Sequence, residues 1–241
     1  PDDIDSRLVL AQALYLTGDA AGSRREAEAA AQRHPDHAGP VTLLGRMAID
    51  RFRQLLEAYR RSPGQGQEAA DRVGAIDAER QAASAAFQKA AVLDPNKAHP
   101  HLALGQIAML DGKTEAARGH YADALARDPD APLDHDALVA GMDWQARAEF
   151  YGRLRERYEH GTTVWPAKSA TLRFHEGRAR AEGQQWTEAR ECFRRALTDN
   201  PAASNNEYYL FLCAYRLDDH DDAEAHAVAF ARRSEEHTSE L

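Results

Sequence analysis

The chain has 241 residues, 43% of them hydrophobic and only 7% aromatic, an alanine-rich mixture that suits closely packed helices better than sheets. A formal charge of −9 argues against a general nucleic-acid binder, which needs clustered Lys and Arg against phosphate. No apolar run approaches the roughly 20 residues that cross a bilayer, and two cysteines, Cys192 and Cys213, are too few for a disulfide framework or a Cys-rich zinc module and read as buried reduced thiols.

In chain order, the first predicted helical hairpin covers about residues 4–37, with "LTGDAAGS" as its turn and Ser23-x3-Ala27-x2-Ala30-x4-Pro35 along its second helix. The second covers about 38–97 and carries Leu44-Gly45-x2-Ala48, then Ala83-x3-Phe87-x2-Ala90-x4-Pro95. Pro35 and Pro95 are 60 residues apart, so this hairpin holds an insertion, placed near 62–76. Val41, Leu44, Ala48, Phe52, Leu55 and Tyr59 keep one helical stripe until "SPGQGQ" breaks it. A mobile loop is expected from about Ser62 to Val73, with helix resuming near Ala75.

The third hairpin, about 98–131, contains Leu104-Gly105-x2-Ala108 and Ala117-x3-Tyr121-x2-Ala124-x4-Pro129. The fourth, about 132–165, is divergent; its second helix is predicted after an Asp143 N-cap and ends at Gly161. Trp144, Ala148, Tyr151, Leu154 and Tyr158 line its apolar face, while Arg147, Arg153, Arg155 and Arg157, interleaved with Glu149 and Glu156, read as a solvated face. The fifth, about 170–203, returns to Ala189-x3-Phe193-x2-Ala196-x4-Pro201, and the sixth covers about 204–232. Residues 233–241, "RSEEHTSEL", equal a translation of AGA TCG GAA GAG CAC ACG TCT GAA CTC, which resembles a sequencing-adapter read. We read this run as a non-native tail; without the three glutamates of residues 234–241 the charge is −6.

The spacing has a mechanical meaning. Alanines seven apart share one helix face and admit a partner helix closely, while Asp-Pro or Asn-Pro stops the second helix because proline cannot continue it. Pro95 and Pro129 lie 34 residues apart. With "LALGQIAMLDGKTEAARGHYADALARDP" carrying most of the signature, the chain resembles the tetratricopeptide repeat family, whose unit is a 34-residue helix–turn–helix. His101 and Ala108 depart from the Trp and Tyr frequent in that family. The expected fold is all-α: a right-handed superhelical solenoid of about six repeats, one with an extended hairpin insertion and one divergent. Tyr121 is expected to fill the space between neighbouring repeats.

Chemical motifs are sparse. "HPDH" (34–37), "HPH" (99–101) and "DDHDD" (218–222) fall at seams or turns and lack a four-ligand zinc spacing. There is no phosphate loop, H-E-x-x-H or G-x-S-x-G, so no catalytic residue, metal or cofactor is assigned. The resemblance implies that each repeat's first helix lines a concave groove for a peptide or partner helix. Helical phase then nominates Leu8, Val9, Gln12 and Tyr15; Thr42, Leu43 and Arg46; and Leu102, Ala103, Gln106 and Met109. Repeat five offers Phe174, His175 and Arg178, and repeat six Tyr208, Tyr209, Leu212, Tyr215 and Arg216. Arg178 and Arg216 are expected to meet carboxylates of the ligand.

The function that follows is a non-catalytic protein–protein interaction scaffold with a protein or peptide partner, no nucleic acid and no membrane insertion. The alternative is a regulatory or substrate-presenting arm of a larger enzyme, a kinase or glycosyltransferase. The chain opens at Pro1, not Met, so a targeting signal is read as missing and the compartment, cytoplasmic or periplasmic, stays open.

Overall fold

The computed structural model describes residues 3–203 and 205–239, with side chains described through Arg233. Ser204, where the sixth repeat is expected to open, and the tail side chains from Ser234 onward lie outside the described residues. The described residues form twelve α-helices and no strand. They follow one another as α1 (Ile4–Leu16) and α2 (Ala20–Arg33), α3 (Ala38–Arg61) and α4 (Gly66–Leu93), α5 (His99–Leu110) and α6 (Thr114–Leu125). Then come α7 (His135–Leu138) and α8 (Trp144–Glu159), α9 (Pro166–Glu182) and α10 (Trp186–Asp199), α11 (Asn205–Arg216) and α12 (His220–Ser239). The helices gather into two compact units, Pro1–Tyr121 and Ala122–Leu241, with the division inside α6.

Small residues set the distance between paired helices. Ala27, Ala30, Ala83, Ala90, Ala117, Ala124, Ala189 and Ala196 are all wholly buried. Facing them, Gly45, Gly105 and Gly177 leave their backbones bare, and a ring from the second helix rests there. A Cβ at these positions would lie 3.1, 2.4 and 2.9 Å from ring atoms of Phe87, Tyr121 and Phe193 respectively. Tyr121 therefore packs within its own pair, against Gly105. A glycine backbone is the surface that gives the ring room.

The turns follow the sequence with one shift. Gly18 and Gly112 take φ of 90° and 73°, the left-handed conformation that closes a helix. In the fifth pair Gly183 stays at −81° and Gln184 takes the left-handed step at 60°.

Two elements differ from the sequence reading. The loop between α3 and α4 is confined to residues 62–65, because helix resumes at Gly66 and not near Ala75. Residues 67–72 hold one another at helical spacing: Gln67 donates to Asp71 at 2.8 Å and Arg72 pairs with Glu68 at 2.6 Å. Arg72 also donates to the Ser62 carbonyl, tying the new helix to the end of the old one. In the divergent fourth repeat, the first helix is a single turn, α7, whose Asp134 cap accepts from the N–H groups of Asp136 and Ala137 at 3.0 Å each. Its second helix opens as expected, with Asp143 accepting from the Ala146 N–H at 2.8 Å.

Each unit has its own core. In the first, Ala11, Ala27, Leu43 and Met47 form one cluster, and Phe52, Ile76, Phe87, Leu104 and Ile107 centre another. In the second, Ala181, Ala189, Phe193, Leu210 and Cys213 pack together with Phe174, Trp186 and Tyr209 against them. The backbone of α12 runs to Ser239, and Arg233 reaches back to Glu207 at 3.3 Å and to the Pro201 carbonyl at 2.6 Å.

Candidate peptide-binding groove

In the first unit, α1, α3, the start of α5 and the end of α4 enclose a cleft of about 560 Å³. Leu8 and Gln12 come from α1, Thr42, Leu43 and Arg46 from α3, Leu93 from α4, and His99 and Pro100 from α5. Asp36, His37, Asp94 and Lys97 reach its edge from the two turns. Local chemistry builds the mouth: His37 Nδ1 accepts from the Gly39 N–H at 3.1 Å and caps α3. Gly39 in turn lets α1 close in, since a Cβ there would lie 2.7 Å from Leu8 Cδ1.

A polar track continues along α3 from this cleft. The Arg46 guanidinium lies over the Tyr15 ring, 5.7 Å from its centroid. The Tyr15 hydroxyl donates to Asp50, Arg53 pairs with the same carboxylate at 3.5 Å, and Arg53 also donates to Gln106 at 2.7 Å. Loss of solvent, then the bond to Asp50, pushes the Tyr15 phenol up to about 12. His99, edge-on to Phe87 at 5.8 Å, is held below the usual imidazole range by desolvation first and by the Arg46 charge second.

The second unit carries a largely buried aromatic cluster. His175 stacks on His135 at 3.9 Å and on Tyr151 at 5.0 Å, and His135 Nδ1 lies 3.2 Å from the Tyr151 hydroxyl. Burial, with the neighbouring His135 and Arg178, lowers His175 to about 3. Burial lowers His135 too and raises Tyr151. Phe174 meets Phe193 and Tyr209 edge-on at 5.9 and 5.4 Å, and Tyr209 stacks on Phe193 at 4.9 Å.

The residues nominated by helical phase thus separate. Thr42 and Arg46 line the cleft, and Gln106 lies on the polar track beside it. Leu102, 8% exposed, and Ala103 are core, while buried Leu43 belongs both to the core and to the cleft wall. Phase gives the direction of a side chain but not the position of the neighbouring helix that covers it. Phe174 and Tyr209 join the apolar cluster, His175 sits in the stack, and Arg178 faces Asp136 at 3.5 Å. Tyr208 and Tyr215 are exposed, Leu212 is half-buried, and exposed Arg216 lies over Trp186 at 5.4 Å. Val9 and Met109 are exposed.

Helical phase did not reach three further features. Asp36, Asp94 and Lys97 enter the cleft from turns, and Asp50 anchors the track. The third is an ion network on the second unit. Glu176, 5% exposed, accepts from Arg155 at 3.1 Å and Arg180 at 2.8 Å. Glu159 accepts from Arg155 at 3.0 Å and Arg173 at 2.7 Å, and Arg173 continues to Asp199 at 3.0 Å. Arg155 is therefore part of a packed ion network and not of a solvated face, because α9 brings Glu176 against it. The signal in the sequence was Glu176 directly before Gly177, where the second and third repeats have Leu44 and Leu104 before their glycines.

The "DDHDD" run is in use structurally. Within it, Asp219 pairs with Arg190 at 2.9 Å and Asp222 with Arg194 at 2.9 Å. Cys213 is buried and Cys192 half-buried, both unbonded, and burial pushes each thiol up to about 11, away from thiolate reactivity.

The fold defines an all-α helical-repeat protein. The Tetratricopeptide repeat family model matches residues 78–132 and 174–236, and those two segments are tetratricopeptide repeats. Tetratricopeptide repeats are generally protein–protein interaction scaffolds and ordinarily non-catalytic. No curated protein matches the chain in sequence. Among solved structures, it is similar to MamA at 13% identity and TM-score 0.37, covering 98% of this chain and 94% of that one. It is similar to the APC/C hetero-tetramer Cut9-Hcn1 at 14% and 0.48, covering 97% of this chain but 41% of that one. For an IFIT1 monomeric mutant with Gppp-AAAA the values are 13% and 0.45, over 94% of this chain and 46% of the other. No helix among the described residues is long and apolar enough to cross a membrane.

Proposed function

We propose that this protein is a non-catalytic interaction module whose first-unit cleft receives an extended segment of a partner protein. The supporting observation is the cleft itself: its walls come from the first helices of three successive repeats, Leu8 and Gln12, Thr42 and Arg46, and His99 and Pro100. Its volume of about 560 Å³ falls in the ordinary range for a built binding site. Apolar walls with a few polar groups suit an extended chain that buries one or two side chains and leaves its backbone hydrated.

The test is an arrayed library of N-acetylated, C-amidated nonapeptides probed with fluorescently labelled protein. Thr42→Trp fills the cleft and should abolish retention of the peptides that wild type selects, with the thermal melt unchanged. Val92→Trp, at a position of α4 that is 79% exposed and outside the cleft, should bind as wild type does. Equal binding by wild type and Thr42→Trp would place the ligand elsewhere.

A further inference from the structure

Arg46 is the one arginine of the cleft, and it has no carboxylate partner among the described residues. Its neighbours are otherwise engaged: Arg53 and the Tyr15 hydroxyl share Asp50, and Arg7 pairs with Glu26 at 3.1 Å. What Arg46 has is a ring face, Tyr15, beneath the guanidinium, which holds the charge in place without neutralising it. That charge is felt across the cleft, where it disfavours protonation of His99.

The surroundings make an uncompensated guanidinium useful to a ligand. Leu8, Leu43, Leu93 and Pro100 line the same space, and apolar walls strengthen a charge-assisted hydrogen bond by keeping water from it. Of the remaining charged groups at the cleft, Asp36, Asp94 and Lys97 come from turns and together carry one net negative charge, so a second acidic group is disfavoured there. Past Arg46 the surface continues along α3 as Asp50 and Arg53, with Tyr15 on one side and Gln106 on the other. A bound chain can therefore run on beyond its acidic residue and does not have to end at it.

We propose that Arg46 reads the side-chain carboxylate of an internal Asp or Glu in a partner segment whose neighbouring apolar side chain fills the cleft. This rests on the cleft being the peptide site. It also moves the anion-recognising role from Arg178, which faces Asp136, and from Arg216 to the first unit.

The same N-acetylated, C-amidated nonapeptide array tests it, because every carboxylate in such peptides is an internal side chain. Retained peptides should be enriched in an Asp or Glu near a Leu, Ile, Val or Met, and Glu→Gln within a retained peptide should weaken binding at least about tenfold. Arg46→Gln should bind the Glu and Gln forms alike, and Arg46→Lys should restore part of the preference, which a merely structural role for Arg46 would not produce. Retained peptides without acidic enrichment, or an Arg46→Gln variant that still prefers Glu, would overturn the carboxylate assignment and leave the cleft as the binding site. Peptides with a free C-terminus that bind independently of any internal acid would overturn the internal reading. Retention of no peptide at all would overturn both the assignment and the cleft.

Discussion

At Gly105 the absence of one methyl group decides how closely two helices meet. An alanine Cβ there would fall 2.4 to 2.9 Å from three atoms of the Tyr121 ring, closer than carbon atoms approach without displacement. The ring cannot swing away freely, because Tyr121 is itself half-buried. Gly105→Ala should therefore destabilise by roughly 1–3 kcal/mol, the usual cost of overpacking. Gly119, in α6, is the matched control: a Cβ there meets nothing within 4 Å. Gly119→Ala should raise stability, by up to about 1 kcal/mol, through helix propensity alone. Thermal melts by circular dichroism of the two variants should move in opposite directions; a Gly105→Ala melt equal to wild type would contradict the packing described.

At the scale of elements, the weak member is α7, four residues held against α8 and α9 by the stack of His135 on His175 and by the Tyr151 hydroxyl. The groups around the stack are Asp134 and Asp136 beside His135, Tyr151 on α8, and Arg178 on α9. Both imidazoles have folded pKa values below the unfolded value of about 6.5. The unfolded chain therefore binds more protons below that pH, so the contribution is complete above about 6.5 and is lost as pH falls toward the folded values. For His175, lowered to about 3, the loss between pH 7 and pH 5 is about 2 kcal/mol. All three tryptophans, Trp144, Trp165 and Trp186, lie in this unit, so urea unfolding followed by their fluorescence reports on it directly. His175→Phe should remove about 2 kcal/mol of the pH 7 to pH 5 difference; an undiminished pH dependence would show that the stack is charged in the fold.

The same element marks the boundary of what sequence reading could reach. Repeats with both helices full-length were legible because their constraint is local and periodic: a glycine before a ring, alanines seven apart, a proline after the last turn. The cap at Asp143 was legible for the same reason. The single turn of α7 was not, since a shortened helix leaves no periodic trace. Nor was the division of the groove residues. Tyr208 and Tyr209 are adjacent in sequence, yet the first is 45% exposed while the second stacks on Phe193. That outcome depends on where α10 lies. Glu176 shows the converse: a carboxylate at a core position is tolerated only because Arg155 and Arg180, 21 residues before it and 4 after, converge on it.

For the molecule as a whole, the pattern of contacts constrains how damage spreads. Helices touch chiefly their neighbours in sequence, α1 with α2, α2 with α3, α3 with α4, and again α8 with α9, α9 with α10, α10 with α11. Beyond these, α1 meets α3 and α9 meets α11, the first helices of adjacent repeats. Such an array has a stability close to a sum of repeat and nearest-neighbour terms, so a lesson in one core should stay there. Phe193 and Phe87 are both wholly buried and occupy the same place in their repeats, one in each unit. Truncating either removes a buried ring and should cost about 3–5 kcal/mol locally. Phe193→Ala should lower the urea midpoint seen by tryptophan fluorescence and speed amide exchange in α9 to α11, while α1 to α3 keep their protection. Phe87→Ala should do the reverse, exposing amides of α3 to α5 and leaving the fluorescence transition in place. Hydrogen exchange by mass spectrometry on both variants separates the cases. If each substitution accelerates exchange in both units equally, the chain unfolds as one cooperative body and nearest-neighbour additivity does not describe it.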